Sequence, residues 1–373
     1  MKVTIHKLFD YLLETTASEP PECFIGFSLA RSPRLKDFIA DLDPNLLLDW
    51  NGASFLGLPA LRQRVLDQAG LTVSPDSVLI TAGAAEANYL LFRQLLTAGD
   101  EIITEAPGWP QAGVMAKAIG ATLREVARDE VRGWHLDPDA VAAAITPRTR
   151  MIFLTNPNNP TGRLIPEADL RALAALADHH GIWLVVDEVY AGLEWDHPRP
   201  PSIAGLTQFG ITTGSVSKAL GLQGLRTGWI ICQDPGVIRD AMILRENASE
   251  IMNTLGEHIA EIALRPDRLT AALTNARTEG RTTLDQMDAF VTAEPRLDWH
   301  RPEAGLIGLA QLDGIDGETL ARRLLAAPYR TFLLPGSAYG CPNHIRLGVG
   351  GGPETRLTDG LARLSALLRS WKD

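Results

Sequence analysis

The chain has 373 residues, 45% hydrophobic and 21% charged, enough to bury a large core in one folded protein of two domains. Its formal charge of −10 and pI near 5.4 argue against a nucleic-acid partner, which needs clustered Lys and Arg, but leave small anions possible because they respond to local residues. Cys23, Cys232 and Cys341 are odd in number and far apart, which fits a reducing cytoplasm without a disulfide framework or zinc spacing.

Residues 1–7 lack the uninterrupted apolar stretch of a signal peptide, and no run is long enough to cross a membrane, so a soluble cytoplasmic protein is expected. Strands are predicted at 78–80, 101–103, 121–123, 151–154, 183–186, 211–213 and 229–231, separated by helical stretches such as 168–176. This alternation implies a mainly parallel sheet with helices on both faces and the chemistry at its strand ends. From about Arg245 the pattern turns helical, becomes mixed through Phe290-Val291 and 306–310, and closes on a predicted helix from Arg356 to Trp371. The expected organisation is a large α/β domain over 45–255 and a smaller α+β domain built from 1–44 and 256–373.

Four segments carry candidate chemistry. Ile80-Thr81-Ala82-Gly83-Ala84-Ala85-Glu86-Ala87 reads as strand, small residues and helix start, which leaves backbone N–H groups free for a phosphate, although small residues at a packed turn are common. Asn156-Pro157-Asn158-Asn159-Pro160-Thr161-Gly162 follows an apolar run and is either an ordinary loop or a ligand-facing turn at the carboxyl edge of the sheet. The hydrophobic run 182–186 ends on Asp187, with Tyr190 three residues later; such an aspartate suits a protonated pyridine nitrogen, or simply caps the next helix. Ser215-Val216-Ser217-Lys218 leads on to Arg226. A desolvated lysine can lose its proton and form a Schiff base with an aldehyde cofactor, while the serine hydroxyl and planar guanidinium suit a phosphate.

Taken together, these segments resemble the fold-type I pyridoxal 5′-phosphate (PLP) enzymes of the class I/II aminotransferase family. The resemblance runs from about Leu56 to Gly348 and includes 57–62, 98–101, 334–340 and 345–348. It implies a homodimer that moves the amino group of an amino acid to a 2-oxo acid through a Lys218 Schiff base. Lys218 would also shuttle the substrate Cα proton. Asp187 would pair with the pyridine nitrogen, Asn159 and Tyr190 with the phenolic oxygen, and Trp109 would stack on the ring. Ser215, Arg226 and the backbone of Ala84 and Ala85 would take the phosphate. Arg346 would clamp the substrate carboxylate, beside Asn159.

The chain also departs from that pattern. Where many relatives carry a tyrosine reaching the neighbouring subunit's phosphate, it reads Trp50-Asn51-Gly52-Ala53-Ser54-Phe55-Leu56, so that contact is lost or moved to Ser54. Ala85 replaces a frequent hydroxyl or lysine. The 51–54 stretch and Glu86-Ala87-Asn88 resemble a branch that includes capreomycidine synthase, which keeps open a PLP-dependent lyase, cyclase or oxidase reaction on an amino acid. A non-catalytic, aminotransferase-like ligand sensor is a remote alternative, because only about forty residues precede the large domain and no basic DNA-reading helix is present. Arg31 and Arg34 either meet an acidic substrate side chain or sit on the surface. The eight histidines form no metal constellation; His179 and His180 suit a solvated helix end, and His344 either lines the substrate pocket or faces water.

Overall fold

The computed structural model describes residues 6–17, 20–49 and 54–371. In chain order its helices are α1 (Lys7–Ala17), α2 (Pro59–Ala69), α3 (Ala84–Leu95), α4 (Gln111–Ile119), α5 (Pro138–Ala144), α6 (Glu167–His180), α7 (Pro235–Glu246), α8 (Thr254–Ala263), α9 (Pro266–Ala293), α10 (Gly317–Leu325) and α11 (Leu357–Arg369). Its strands are β1 (Cys23–Phe24), β2 (Val78–Thr81), β3 (Glu101–Ala106), β4 (Thr122–Ala127), β5 (Thr149–Thr155), β6 (Trp183–Asp187), β7 (Gly210–Ser215), β8 (Gly228–Cys232), β9 (Leu297–Trp299), β10 (Ile307–Leu312), β11 (Thr331–Phe332), β12 (Leu334–Pro335) and β13 (His344–Gly348).

Seven strands form one sheet in the order β2-β8-β7-β6-β5-β3-β4. The four pairings from β7 to β4 are parallel, whereas β8 runs antiparallel to both β7 and β2. The central strands are buried on both faces, so their sequences read as continuous apolar runs rather than as alternation. Apolar clusters on the two sides of the sheet include Leu90, Phe92 and Phe153 in one and Leu154, Leu170 and Leu184 in another. This is the doubly covered, mainly parallel α/β architecture that the alternation of strands and helices in the sequence implies.

The remaining strands make a four-stranded antiparallel sheet, β12-β13-β10-β9, and a parallel pair, β1 with β11. Helices α1, α9, α10 and α11 supply residues to the core over them, among them Leu8, Leu284, Leu320 and Leu364. Phe290 and Val291, expected in a mixed region, lie in α9. Gly280, Leu284, Met287 and Val291 are buried at helical spacing along that element, so the apolar doublet belongs to a core-facing stripe.

Segment 25–30 ties the end of β13 to the loop after β7. The amides of Gly348, Gly350 and Gly351 donate to the carbonyls of Ile25, Phe27 and Leu29 at 2.8, 3.2 and 2.7 Å. The Ala30 amide in turn donates to the carbonyl of Lys218 at 2.9 Å. No helix of the described residues is long and apolar enough to cross a membrane, and no group of three or more His, Cys, Asp or Glu among them could hold a metal ion.

Candidate active site

Parallel strands deliver their carboxyl ends to one edge of a sheet, where the loops that follow converge. Here β5, β6 and β7 end on Thr155, Asp187 and Ser215, which lie side by side at that edge. A cavity of about 520 Å³ opens above them. All ten candidate residues line it: Ala84, Ala85, Trp109, Asn159, Asp187, Tyr190, Ser215, Lys218, Arg226 and Arg346.

Turn 156–162 shows how its asparagines divide the work. Asn156 Oδ1 accepts from the Ile165 amide at 2.9 Å, and Asn158 Oδ1 accepts from the Thr161 amide and hydroxyl at 3.1 and 2.6 Å. These two fasten the loop. Asn159 instead faces the cavity, where its Oδ1 accepts from Arg346 Nη1 at 3.1 Å. Beneath the turn, Glu105 Oε1 accepts from the Thr155 amide at 2.8 Å, and Oε2 is gripped by Arg128 Nη2 at 2.6 Å in a fully buried ion pair.

The start of α3 forms one wall. The first amides of a helix have no intrahelical acceptor, so those of Ala84 and Ala85 present donors toward the cavity they line. Gly83 precedes them at φ +89°, and a Cβ there would stand 2.5 Å from Arg226 Nη2. Arg226 reaches across the turn to donate to the Ala82 carbonyl at 3.2 Å. Gly228 is needed for the same approach, since a Cβ would lie 2.5 Å from the Ala84 amide nitrogen. Ser215 and Ser217 complete this polar corner of the cavity.

Asp187 is buried at the end of β6. Its Oδ2 accepts from Asn88 Nδ2 at 2.8 Å and its Oδ1 from the Val189 amide at 3.2 Å. Asn88 Oδ1 accepts from the Thr213 hydroxyl at 2.8 Å, which fixes the orientation of the amide. Burial pushes the Asp187 carboxyl up to about 6, against the stabilising pull of Asn88, Val189 and Lys218. Lys218 lies 5.9 Å from the Tyr190 ring centroid. Burial and the repulsion of Arg346 push its amine down to about 8, with Asp187 opposing and Arg226 assisting. The Tyr190 hydroxyl is likewise buried, and desolvation raises its pKa against the pull of Arg346 and Ser28.

Arg346 stands on β13. Its Nη2 donates to the Gly26 carbonyl at 2.9 Å, and Nη1 also donates to the Tyr339 hydroxyl at 3.0 Å, while the buried Nε has no partner. Asn88 and Tyr339 are site residues that sequence reasoning did not assign. Asn88 had one signal: it is a polar side chain on the face of α3 that otherwise carries Ala87, Leu90 and Leu91 into the core.

Other expectations resolve differently. His344 neither lines the cavity nor faces water; it is buried on β13, with Nε2 2.8 Å from Glu130 Oε1 and its ring edge-on to Trp134. Arg31 and Arg34 line a separate cavity of about 500 Å³ between segment 30–38 and α9, where Arg31 pairs with Glu354 at 3.1 Å. Trp50, Asn51, Gly52 and Ala53 lie outside the described residues. Ser54 closes a local turn by accepting from the Leu56 amide at 3.0 Å.

Comparison with known proteins identifies the family. The family model described as aminotransferase class I and II matches residues 51–364. An arginine–pyruvate transaminase of Pseudomonas aeruginosa is 31% identical over 83% of this chain and 80% of its own length. Capreomycidine synthase of Streptomyces vinaceus is 30% identical over 87% of this chain and 84% of its own. The crystal structure of a PLP-dependent aminotransferase from Streptococcus suis superposes with a TM-score of 0.91 at 26% identity, covering all of both chains. The chain therefore belongs to the aminotransferase class I and II family, and its activity is amino-group transfer.

Proposed function

We propose that the protein holds pyridoxal 5′-phosphate through Lys218 and passes the amino group of an amino acid to a 2-oxo acid. The observation that carries this reading is that Lys218, three residues past the end of β7, and Asp187, at the end of the neighbouring β6, line one cavity together with the start of α3, Ser215 and Arg226. The unpartnered buried hydroxyl of Thr155 fits a polar ring in that cavity. When bound, the cofactor supplies an electron sink for the bonds of the amino-acid Cα.

The chain's own groups then divide the task. With its amine near 8, Lys218 is partly neutral at physiological pH and able to attack an aldehyde. Once free of the cofactor, the same amine would be placed to take the proton from the substrate Cα. Asp187, ionised above about 6, would hold a proton on the pyridine nitrogen. Tyr190 and Asn159 would donate to the phenolic oxygen, Trp109 would cover the ring face, and Arg346 would orient the substrate carboxylate so that the Cα–H bond faces Lys218.

This reading extends to a homodimer and to a division of the chain into residues 45–255 and a second unit from 1–44 and 256–373. Borohydride reduction of the cofactor-loaded protein followed by peptide mapping should place a phosphopyridoxyl group on Lys218. An unmodified Lys218 would contradict the proposal. The similarity to capreomycidine synthase makes product analysis part of the test: transfer yields a new amino acid from the 2-oxo acid, whereas elimination or cyclisation does not.

A further inference from the structure

Resting on the reading just given, we propose that the amino acid accepted here carries a neutral, apolar side chain, aromatic or branched aliphatic. The cofactor would take the amino group of Cα, Arg346 its carboxylate and Lys218 its proton, so the side chain must use what remains of the cavity wall. Most of that wall is apolar, with Ser28, Gln111 and Gln223 as uncharged polar exceptions. Leu8, Phe9 and Leu12 of α1 line it together with Phe27, Phe332 and Leu334.

These residues cluster at the carboxylate end. Leu334 lies directly opposite Arg346 in the β12–β13 pairing, so both side chains rise on one face of the sheet. Phe27 follows Gly26, whose carbonyl takes Arg346 Nη2 at 2.9 Å. Phe332 stacks with Tyr11 of α1 at 6.0 Å between ring centroids, which brings α1 over the cavity.

Charge makes the complementary argument. Among the described lining residues the cations are Lys218, Arg226 and Arg346, and the carboxylate is Asp187. Each is already committed: Arg226 at the phosphate corner, Arg346 at the substrate carboxylate, Lys218 and Asp187 at the cofactor. Among the described lining residues an acidic side chain would find no further cation, and a guanidinium or ammonium no further carboxylate. A charge against such a wall is disfavoured because it loses hydration without gaining a partner. Arg31, the sequence candidate for an acidic partner, is paired with Glu354 in the other cavity.

The test has two arms. In the first, the cofactor-loaded protein is mixed rapidly with leucine, methionine, phenylalanine, aspartate, glutamate or arginine, and the change in cofactor absorbance gives an apparent second-order rate constant for each. The best apolar substrate should exceed every charged one by at least about 100-fold. In the second, calorimetry compares unreactive carboxylates, with 3-phenylpropionate expected to bind more tightly than succinate or 5-guanidinopentanoate. A charged amino acid within about tenfold of the best apolar one, or succinate binding as tightly as 3-phenylpropionate, overturns the inference.

Phe9→Arg adds a gain-of-function control at a side chain that is 50% exposed and so tolerant of change. It should raise the glutamate-to-phenylalanine rate ratio by at least about tenfold. An unchanged ratio counts against α1 as the side-chain wall. A protein without a cofactor absorbance band would sink the PLP reading instead, while the calorimetric order would still decide the apolar preference.

Discussion

Asn88 Nδ2 donates to Asp187 Oδ2 across 2.8 Å, and Thr213 holds the other end of the same amide at 2.8 Å. A carboxylate buried at a strand end is thereby kept ionisable near neutrality, since burial raises its pKa and this donor lowers it. Replacing Asn88 by Leu removes the donor and should move the Asp187 pKa higher still. A hydrogen bond to a charged group is worth about 1.5–3 kcal/mol, so cofactor affinity should fall roughly tenfold to a hundredfold. Fluorescence titration with the cofactor measures this. The acid limb of the pH–rate profile should shift upward as well, a change that simple loss of packing would not produce.

Lys218 yields a stability prediction with a definite sign. Its amine titrates near 8 in the folded protein against 10.5 when unperturbed, so between those values the folded state binds fewer protons than the unfolded one. The charged amine therefore opposes folding below about pH 8, and that opposition fades as pH rises toward 10.5. Cofactor-free Lys218→Met should be more stable than the parent at pH 7, by up to about 3 kcal/mol, with the gap closing toward pH 10.5. Denaturant titrations at the two pH values check this. Lys218→Ala should abolish turnover while leaving non-covalent cofactor binding measurable.

Arg346→Lys keeps the charge but removes the planar fork that Gly26, Asn159 and Tyr339 now orient. KM for both the amino acid and the 2-oxo acid should rise by about tenfold or more, with a smaller change in cofactor affinity. Steady-state kinetics in both directions, set beside a cofactor titration, separate the two effects. A variant losing cofactor rather than substrate would assign Arg346 elsewhere.

The Glu105–Arg128 pair lies beneath the 156–162 turn, with both side chains essentially inaccessible to solvent. Arg128→Met leaves the carboxylate buried and alone, which should cost about 3–5 kcal/mol in thermal or denaturant unfolding. Glu105→Leu combined with Arg128→Met should recover a substantial part of that loss, because no unpaired charge remains. The double variant should still show raised KM, since the Thr155 amide loses the acceptor that positions the turn carrying Asn159.

The gathering of the candidate residues in one cavity could be read from residue order because several of them follow strand ends, where local motifs and sheet topology coincide. Asp187, Ser215 and the turn after β5 are neighbours in space for the same reason that their strands are neighbours in the sheet. What escaped was set by packing between distant segments. Asn88 resembled one more position in a helix start; only the approach of α3 to β6 and β7 makes its amide a partner for Asp187. The apolar cover from α1 has no motif, since amphipathic helices are common and nothing local says which cavity they face. Arg31 and Arg34 were near in sequence to the segment that laces onto β13, but they follow the chain into the neighbouring cavity. His344 shares the β13 face with Arg346, yet a loop from the large sheet brings Glu130 against it.

Segment 25–30 accepts from Arg346 at Gly26 and donates to the Lys218 carbonyl from Ala30, so five consecutive residues gauge the span between Arg346 and Lys218. Such a ruler has little tolerance for altered length. Adding or deleting one residue between Gly26 and Ala30 would flip side chains to opposite faces and pull one tether off its mark, whereas changes in side-chain size along the same stretch would reshape the chamber without altering that spacing. Diversification of this enzyme by engineering should therefore proceed through substitution at Phe27 and Leu29, with the chain length between the two anchors held constant.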